Sequence, residues 1–133
     1  MGENDRSATG FLPSDAFEAM ADRFFGFPQI SAQGWEKAID AQSRIVAAVS
    51  RALAAVPRER PVVFCGHGAV GTLLKCHLDG RPIARSEDQS RHGHSGGGNC
   101  FAFDINPNRL GGEWRAMEDL APGWFKPAVT ATL

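Results

Sequence analysis

The segment that most constrains the fold of this chain is a short apolar run followed by a histidine between two glycines. Residues 62–65 are β-branched and aromatic apart from a final cysteine, and they predict a buried strand. A Gly-His-Gly triplet centred on His67 follows, and the apolar spacing of residues 69–78 predicts a helix that ends at Gly80. The sequence therefore predicts that His67 lies between the carboxyl end of a strand and the N-terminus of a helix.

This position of His67 favours the binding of an anion. Open α/β sheets bind ligands at the carboxyl ends of their strands, and the N–H groups and dipole of a helix N-terminus attract negative charge. An imidazole there can donate a hydrogen bond to a phosphate oxygen. The alternative is that His67 only caps the following helix. The flanking glycines, which let a ligand approach the backbone, favour the phosphate interpretation.

The apolar pattern predicts two helices before this unit and two strands after it. The first helix begins at Ser14 and ends near Gly26, and the second spans about residues 33–56. Residues 79–99 predict a loop, residues 100–105 a strand, and residues 110–116 its hairpin partner. This order predicts an α/β domain with fewer strands than a complete doubly wound sheet. The aromatic residues expected in the core are Phe17, Phe24, Phe25, Trp35, Phe101 and Phe103.

Length and composition narrow the class of protein. The 133 residues are expected to form one domain, residues 1–133, and a net charge of −1 argues against a general nucleic-acid binder. Neither a secretion signal nor an apolar run of membrane-spanning length is evident. Cys65, Cys76 and Cys100 each lie in or beside an apolar run. They predict reduced, partly buried thiols in a cytoplasmic protein, without membrane or nucleic-acid partners.

Several segments together resemble the histidine phosphatases, the phosphoglycerate mutase-like superfamily. Residues 61–78 resemble the second histidine motif of that family, in which a strand ends in a small residue, then His-Gly, then a helix. Residues 3–10 resemble its segment that carries an acidic proton donor, and residues 97–99 resemble the loop that closes its phosphate pocket. Trp35, Glu36 and Arg44 lie on a predicted helix that resembles the one before the second histidine strand. The resemblance extends from Glu3 to about Trp114.

The resemblance implies a fold and a site. The implied fold class is α/β, an incomplete three-layer α/β/α phosphoglycerate mutase-like domain that lacks its first strand and helix. The family's nucleophilic histidine lies in an Arg-His-Gly motif after that first strand, and only Met1 and Gly2 precede Glu3 here. The implied catalytic residues are His67, as the second histidine, and Glu3, as the acid. The implied phosphate-binding residues are His67, Gly68, Gly98 and Asn99.

The function implied by the resemblance is phosphomonoester hydrolysis or phosphoryl transfer through a phosphohistidine. The partner is a small phosphorylated molecule, and no cofactor or metal is expected. Because the nucleophile segment is missing, we expect this activity to be impaired. Alternatively the chain is a non-catalytic phosphate- or ligand-binding module, or a truncated product that needs a partner. The edge of the predicted strand at residues 62–65 lacks its family neighbour, which predicts a homo-oligomer through this edge.

Three other patterns carry weaker signals. Residues 66–71 also fit the G-x-G-x-x-G pattern of dinucleotide-binding proteins, with Glu87 or Asp88 at the spacing of a ribose-binding acid. The two preceding helices and the bulk of His67 argue against it. Arg91-His92-Gly93 spells the family's nucleophile triplet, but a polar stretch precedes it where a buried strand is needed. His92, His94 and Cys100 form a weak zinc pattern, against which a solvated loop is favoured for the two histidines. Arg6 is expected at the surface, although its closeness to Glu3 in the sequence would also allow a place near the pocket.

Overall fold

The computed structural model describes residues 1–105 and 108–125. Its helices are α1 (Ser14–Gly26), α2 (Ala38–Ala54), α3 (Gly68–Leu78) and the short α4 (Gln89–His92). Its strands are β1 (Asn99–Cys100), β2 (Phe103–Ile105), β3 (Asn108–Leu110) and β4 (Arg115–Ala116). Single 3₁₀ turns lie at Arg85–Glu87 and Met117–Asp119. Within the described residues, no helix is both long enough and apolar enough to cross a membrane.

The strands form two small antiparallel sheets. β1 pairs with β4, with Asn99 opposite Ala116, and β2 pairs with β3, with Phe103 opposite Leu110. The strand predicted over residues 100–105 is therefore broken into two short strands with different partners. The predicted hairpin is confirmed in outline, because the returning chain supplies both partners, and its turn residues 106 and 107 lie outside the described residues.

The prediction of a buried strand at residues 62–65 is wrong. These residues belong to neither sheet. Val62 and Phe64 are half-buried, whereas Cys65 is exposed and Val63 is 86% exposed, so the segment presents alternate residues to the core and to solvent. A strand needs a neighbour to satisfy its backbone groups, and no strand within the described residues lies beside this one. The prediction that the Cys65 thiol is partly buried is also wrong, because the segment is not enclosed within a sheet.

The bounds of α1, α2 and α3 agree with those predicted from the sequence except at the start of α2. α1 and α3 begin within one residue of their predicted starts, whereas α2 begins at Ala38 rather than near residue 33. Gln33 and Gly34 have φ angles of 48° and 85°, in the left-handed region, and such residues cannot continue a right-handed helix. The predicted loop over residues 79–99 contains α4 and the 3₁₀ turn at Arg85–Glu87.

The apolar core consists of two adjoining clusters. The first joins α1 to Trp35 and to the start of α2, and the second joins α2 to α3. Phe64, Phe101 and Phe103 cover the second cluster, and the rings of Phe64 and Phe103 stack with centroids 6.4 Å apart. Of the aromatic residues predicted for the core, Phe24, Phe25 and Trp35 are buried, whereas Phe17, Phe101 and Phe103 are half-buried.

A buried lysine joins α3 to the segments that follow it. The Lys75 side chain is 0% exposed, and its Nζ lies 2.6 Å from Glu87 Oε2 and 2.5 Å from Glu113 Oε2. Arg81 Nη1 bonds the same two carboxylates, at 3.0 and 2.5 Å. Burial raises the pKa of both carboxyls and lowers that of the ammonium, but the hydrogen bonds and opposite charges outweigh burial. The pKa values of Glu87 and Glu113 therefore lie below the ordinary range, and that of Lys75 lies above it.

This cluster predicts a loss of stability in acid. The ordinary pKa of a glutamate is 4.5, and the pKa values of Glu87 and Glu113 in the folded chain are lower. At a pH between the folded values and 4.5, the unfolded chain therefore binds more protons than the folded chain. The stabilisation is complete above pH 4.5 and is lost as the pH falls through the folded pKa values. We expect the free energy of unfolding, measured by urea titration at several pH values, to decrease as the pH is lowered below 4.5. It should decrease less steeply for Glu113→Gln. Equal slopes for that variant and the wild type would contradict this, and Glu59→Gln, at an exposed site, is the matched control.

The exposed edge at residues 62–65 predicts association of the chain with itself. Within the described residues no strand pairs with this segment, although the Met1 ammonium donates to Cys65 O, and such an edge beside the exposed Val63 invites pairing with a second copy. We expect the apparent mass from light scattering to rise with concentration, and we expect Val63→Lys to suppress that rise because a charge on the edge opposes pairing. Ala47→Lys, at an exposed position of α2, should behave like the wild type. A wild-type chain that stays monomeric across the dilution series would show that the edge is covered.

Candidate functional site

His67 occupies the position before the first turn of α3. Its backbone is extended, with φ −91° and ψ 152°, and its carbonyl accepts a hydrogen bond from Gly71 N at 3.0 Å. Its imidazole makes no capping hydrogen bond to the first turn of α3, and its side chain is 58% exposed. The alternative role of His67 as a side-chain cap therefore finds no support. The imidazole instead stands at the mouth of a cavity beside a helix N-terminus.

The structure brings Glu3 and His67 together. Glu3 Oε1 lies 4.0 Å from His67 Nδ1, although 64 positions separate the two residues in the sequence. The same oxygen accepts a hydrogen bond from Arg6 Nη2 at 2.6 Å. The prediction that Arg6 lies at the surface is wrong, because its guanidinium packs over the rings of Phe17 and Trp35, 5.0 and 5.6 Å from their centroids. Arg6 is thus a partly buried cation beside the carboxylate.

Two residues near the start of α2 hold the N-terminal segment in this place. Arg44 donates to the backbone carbonyls of Gly2 and Glu3, at 3.4 and 3.0 Å, and it bonds the Glu36 carboxylate through two nitrogens. Glu36 in turn accepts the Asp5 N–H at 3.1 Å and donates its own N–H to Asp5 O at 2.8 Å. The hydrogen bond from Arg44 lowers the pKa of Glu36 and keeps the carboxylate charged. Glu36 and Arg44 thereby act as a clamp on the segment that carries Glu3.

The cavity beside His67 has a volume of about 250 Å³. Glu3, Arg6 and Gly68 line it together with His67, and polar residues of the segment after α3 form much of its far wall. Those residues are Arg85, Asp88, Gln89, Ser90 and Ser95. Arg85 is already paired, through Glu18 at 2.5 Å, Asp22 at 3.2 Å and Asp88 at 3.0 Å. The charge of Arg85 is therefore balanced within the protein.

Gly98 and Asn99 lie behind this wall rather than on it. Asn99 Nδ2 donates to Gln89 Oε1 at 2.8 Å and to His94 O at 2.7 Å, and Asn99 Oδ1 accepts the His94 N–H at 2.7 Å. The Gln89 side chain packs so closely on Gly68 that a Cβ at Gly68 would collide with it. Gly98 has a φ of 70°, and its carbonyl accepts the Met117 N–H at 2.9 Å. Asn99 thus reaches the cavity indirectly, by holding Gln89 against Gly68.

The histidines of the 92–94 segment lie away from this cavity. His92 Nε2 is 2.7 Å from Ser86 O, and His94 Nδ1 accepts the Gly96 N–H at 3.1 Å. Potential metal-ligand atoms of Glu87, His92 and Glu113 come within 4.8 Å of one another. Lys75 and Arg81 together already neutralise both of these carboxylates from within the protein, and their charges oppose a further cation there.

The acids that suit a ribose in the dinucleotide pattern are occupied. Glu87 bonds Lys75 and Arg81, and Asp88 is buried with Arg85 and Ser90 around it. Both carboxylates are thus already engaged within the protein, although Asp88 lines the cavity beside the N-terminus of α3. The geometry therefore offers no support for a dinucleotide site.

Sequence reasoning missed several residues that line the cavity. Asn4 lies on a segment without apolar periodicity, so no sequence pattern indicates its place in the cavity. For Arg6, the one signal is its closeness to Glu3 in the sequence. Arg85 and Gln89 belong to a stretch predicted as a loop. Their roles depend on contacts with α1, α3 and residues 94–99, which no local pattern shows.

Comparison with known proteins finds a similarity that includes part of this site. A family model described as the histidine phosphatase superfamily (branch 1) matches residues 13–97, more than half of the chain. The matched stretch contains α1, α2, α3 and His67, whereas Glu3 precedes it. No curated protein matches the sequence.

The clamp on the N-terminal segment yields a prediction about local stability. Replacement of Arg44 by alanine removes the bonds to Gly2, Glu3 and Glu36, so the Asp5 N–H should open more often. We expect its hydrogen exchange, measured by NMR, to accelerate about tenfold, which corresponds to a loss of about 1.4 kcal/mol. Arg51→Ala, at an exposed position in the last turn of α2, is the control and should leave the rate unchanged. Unaltered exchange in Arg44→Ala would show that other contacts hold the segment.

Proposed function

This chain belongs to the histidine phosphatase superfamily (branch 1), and from that premise we propose that the cavity at His67 binds the phosphoryl group of a small phosphorylated molecule. The fold is accordingly an incomplete α/β, phosphoglycerate mutase-like one. The observation that carries the proposal is the approach of Glu3 Oε1 to within 4.0 Å of His67 Nδ1 at the wall of one cavity. A proton donor and an imidazole at a helix N-terminus are the two groups that a phosphate ester needs there.

Each residue has a role that follows from its chemistry. The N-terminal N–H groups of α3 and the imidazole of His67 donate hydrogen bonds to phosphate oxygens and offset their charge. Gly68 leaves the backbone open to a ligand on the His67 side, while Gln89 closes the opposite side. Glu3, when protonated, donates its proton to the leaving alcohol oxygen as the P–O bond breaks. Arg6 bonds the ionised carboxylate and so orients it.

Covalent transfer also needs a nucleophile in line with the leaving oxygen. Within residues 1–105 and 108–125, His67 is the one histidine that lines this cavity, and the triplet Arg91-His92-Gly93 lies at the end of α4, with His92 bonded to Ser86. We therefore propose that the chain of 133 residues binds phosphate and does not transfer it at a measurable rate. A non-catalytic phosphate-binding module is the second candidate function, and the same observation favours it.

The proposed setting of this activity is the cytoplasm. Cys65, Cys76 and Cys100 are all free thiols, and burial raises the pKa of the Cys76 and Cys100 thiols. Free thiols are typical of a reducing compartment, which supports this location.

The proposal predicts that phosphate binding depends on His67. We expect inorganic phosphate, titrated into the protein and followed by NMR, to shift the resonances of His67 and Gly68. His67→Ala should weaken binding by about 1–3 kcal/mol, the contribution of a hydrogen bond to a charged group. His77→Ala, at an exposed position in the last turn of α3, is the matched control and should bind like the wild type.

Two results would contradict the proposal. Equal phosphate affinity in His67→Ala and the wild type would remove His67 from the site. Robust hydrolysis of 4-nitrophenyl phosphate that His92→Ala abolishes would show that Arg91-His92-Gly93 supplies the nucleophile. We expect instead no hydrolysis above the buffer blank.

A further inference from the structure

A second and larger cavity adjoins the cavity at His67. Its volume is about 710 Å³, against about 250 Å³ for the cavity at His67. Five residues line both, namely Glu3, Asn4, Arg6, Phe17 and Trp35. The two spaces are therefore neighbouring chambers, with the Glu3 carboxylate and its Arg6 partner at the partition between them.

The orientation of a bound ester assigns a role to the larger chamber, provided that the proposed function holds. His67 holds the phosphoryl group by hydrogen bonds on its side of the partition, and Glu3 faces the ester oxygen that joins the phosphoryl group to the alcohol portion. The alcohol portion of the ester must then extend past Glu3, away from His67. The chamber on that side is the larger one, which we name the alcohol chamber and which Phe11, Leu12 and Ser14 complete.

The alcohol chamber has an aromatic wall. Phe17 and Trp35 form its floor, with Arg6 stacked over both rings and its charge balanced by Glu3. Phe11 stands at the rim and is 94% exposed. Because Arg6 covers the rings of Phe17 and Trp35, Phe11 is the aromatic side chain of this chamber that remains open to a ligand. A flat apolar group in the chamber can pack on the Phe11 ring.

Asn4 adds one polar feature to this wall. The side chain is 5% exposed and lines both chambers, yet its Nδ2 is buried and has no hydrogen-bond partner among the described residues. Buried amide groups nearly always have a partner in folded proteins, and an unpaired one costs free energy. A ligand that brings a hydrogen-bond acceptor to Asn4 removes this cost.

We propose that the ligand class is an aryl phosphate that carries a hydrogen-bond acceptor on its ring. The ring binds in the alcohol chamber against Phe11, the acceptor bonds the Asn4 amide, and the phosphoryl group lies at His67. The inference rests on the proposed function of the His67 cavity. It adds Phe11 and Asn4 as residues that determine specificity.

Three stable phosphonates test this assignment without hydrolysis. Methylphosphonate carries the anion alone, benzylphosphonate adds a ring, and 4-nitrobenzylphosphonate adds an acceptor to the ring. Binding to the full chain is measured by NMR titration. We expect benzylphosphonate to bind at least about tenfold more tightly than methylphosphonate, which corresponds to about 1.4 kcal/mol. The nitro group should add a further gain of several-fold.

Two variants separate the contributions of ring and acceptor. Phe11→Ser should reduce the ratio of benzylphosphonate to methylphosphonate affinity to near one, whereas Phe27→Ser, at an exposed phenylalanine outside both chambers, should retain the wild-type ratio. Asn4→Ala should lose only the gain from the nitro group. Since Phe11 is almost fully exposed, Phe11→Ser is expected to fold even if Asn4→Ala does not.

The outcomes distinguish a failure of this inference from a failure of the proposed phosphate binding at His67. If neither inorganic phosphate nor methylphosphonate binds at His67, the proposed function fails and the inference fails with it. If both bind but benzylphosphonate gains nothing, the assignment of the alcohol chamber alone is overturned. A ring preference that survives Phe11→Ser would equally overturn it, because the ring would then bind elsewhere.

Discussion

The bond network of Arg44 is the interaction on which the candidate site depends. Its guanidinium joins the carboxylate of Glu36 to the backbone carbonyls of Gly2 and Glu3, and so fixes an N-terminal segment without regular secondary structure against α2. That attachment places Glu3 beside His67, which α3 positions independently. The site therefore combines side chains from two separate elements of the chain. The Met1 ammonium, which donates to Cys65 O at 2.8 Å, adds a second attachment close to His67.

The second constraint is that, among residues 1–105 and 108–125, no strand pairs with residues 62–65. In an α/β domain the strand before a ligand-binding loop is normally held by neighbours on both edges. Here the segment packs Phe64 on Phe103 and leaves Val63 in water, so the loop at His67 rests on α3 and on the N-terminal segment. Within the described residues, this arrangement leaves the N-terminus of α3 beside His67 without a sheet under the preceding segment.

The features that the sequence predicts well are those with local causes. α3 and the place of His67 follow from the glycines at each end and the apolar spacing between them, and α1 follows from its apolar stripe. The predictions that are wrong depend on contacts between segments far apart in the sequence. Pairing at residues 62–65 depends on a neighbour elsewhere in the chain, and the site at Arg6 depends on two aromatic rings from other segments. The resemblance to the family indicated Glu3 as the acid, and the structure supplies the 4.0 Å approach to His67 that supports this role.

We propose that Glu3 and His67 share one anion site, and a crystal structure with bound tungstate can locate that anion. Tungstate resembles phosphate in shape and charge, and its anomalous signal locates it without ambiguity. We expect an anion within hydrogen-bonding distance of the His67 imidazole and the first N–H groups of α3, on the side that faces Glu3. An anion bound instead at His92 or His94, with the His67 cavity empty at the same concentration, would contradict it.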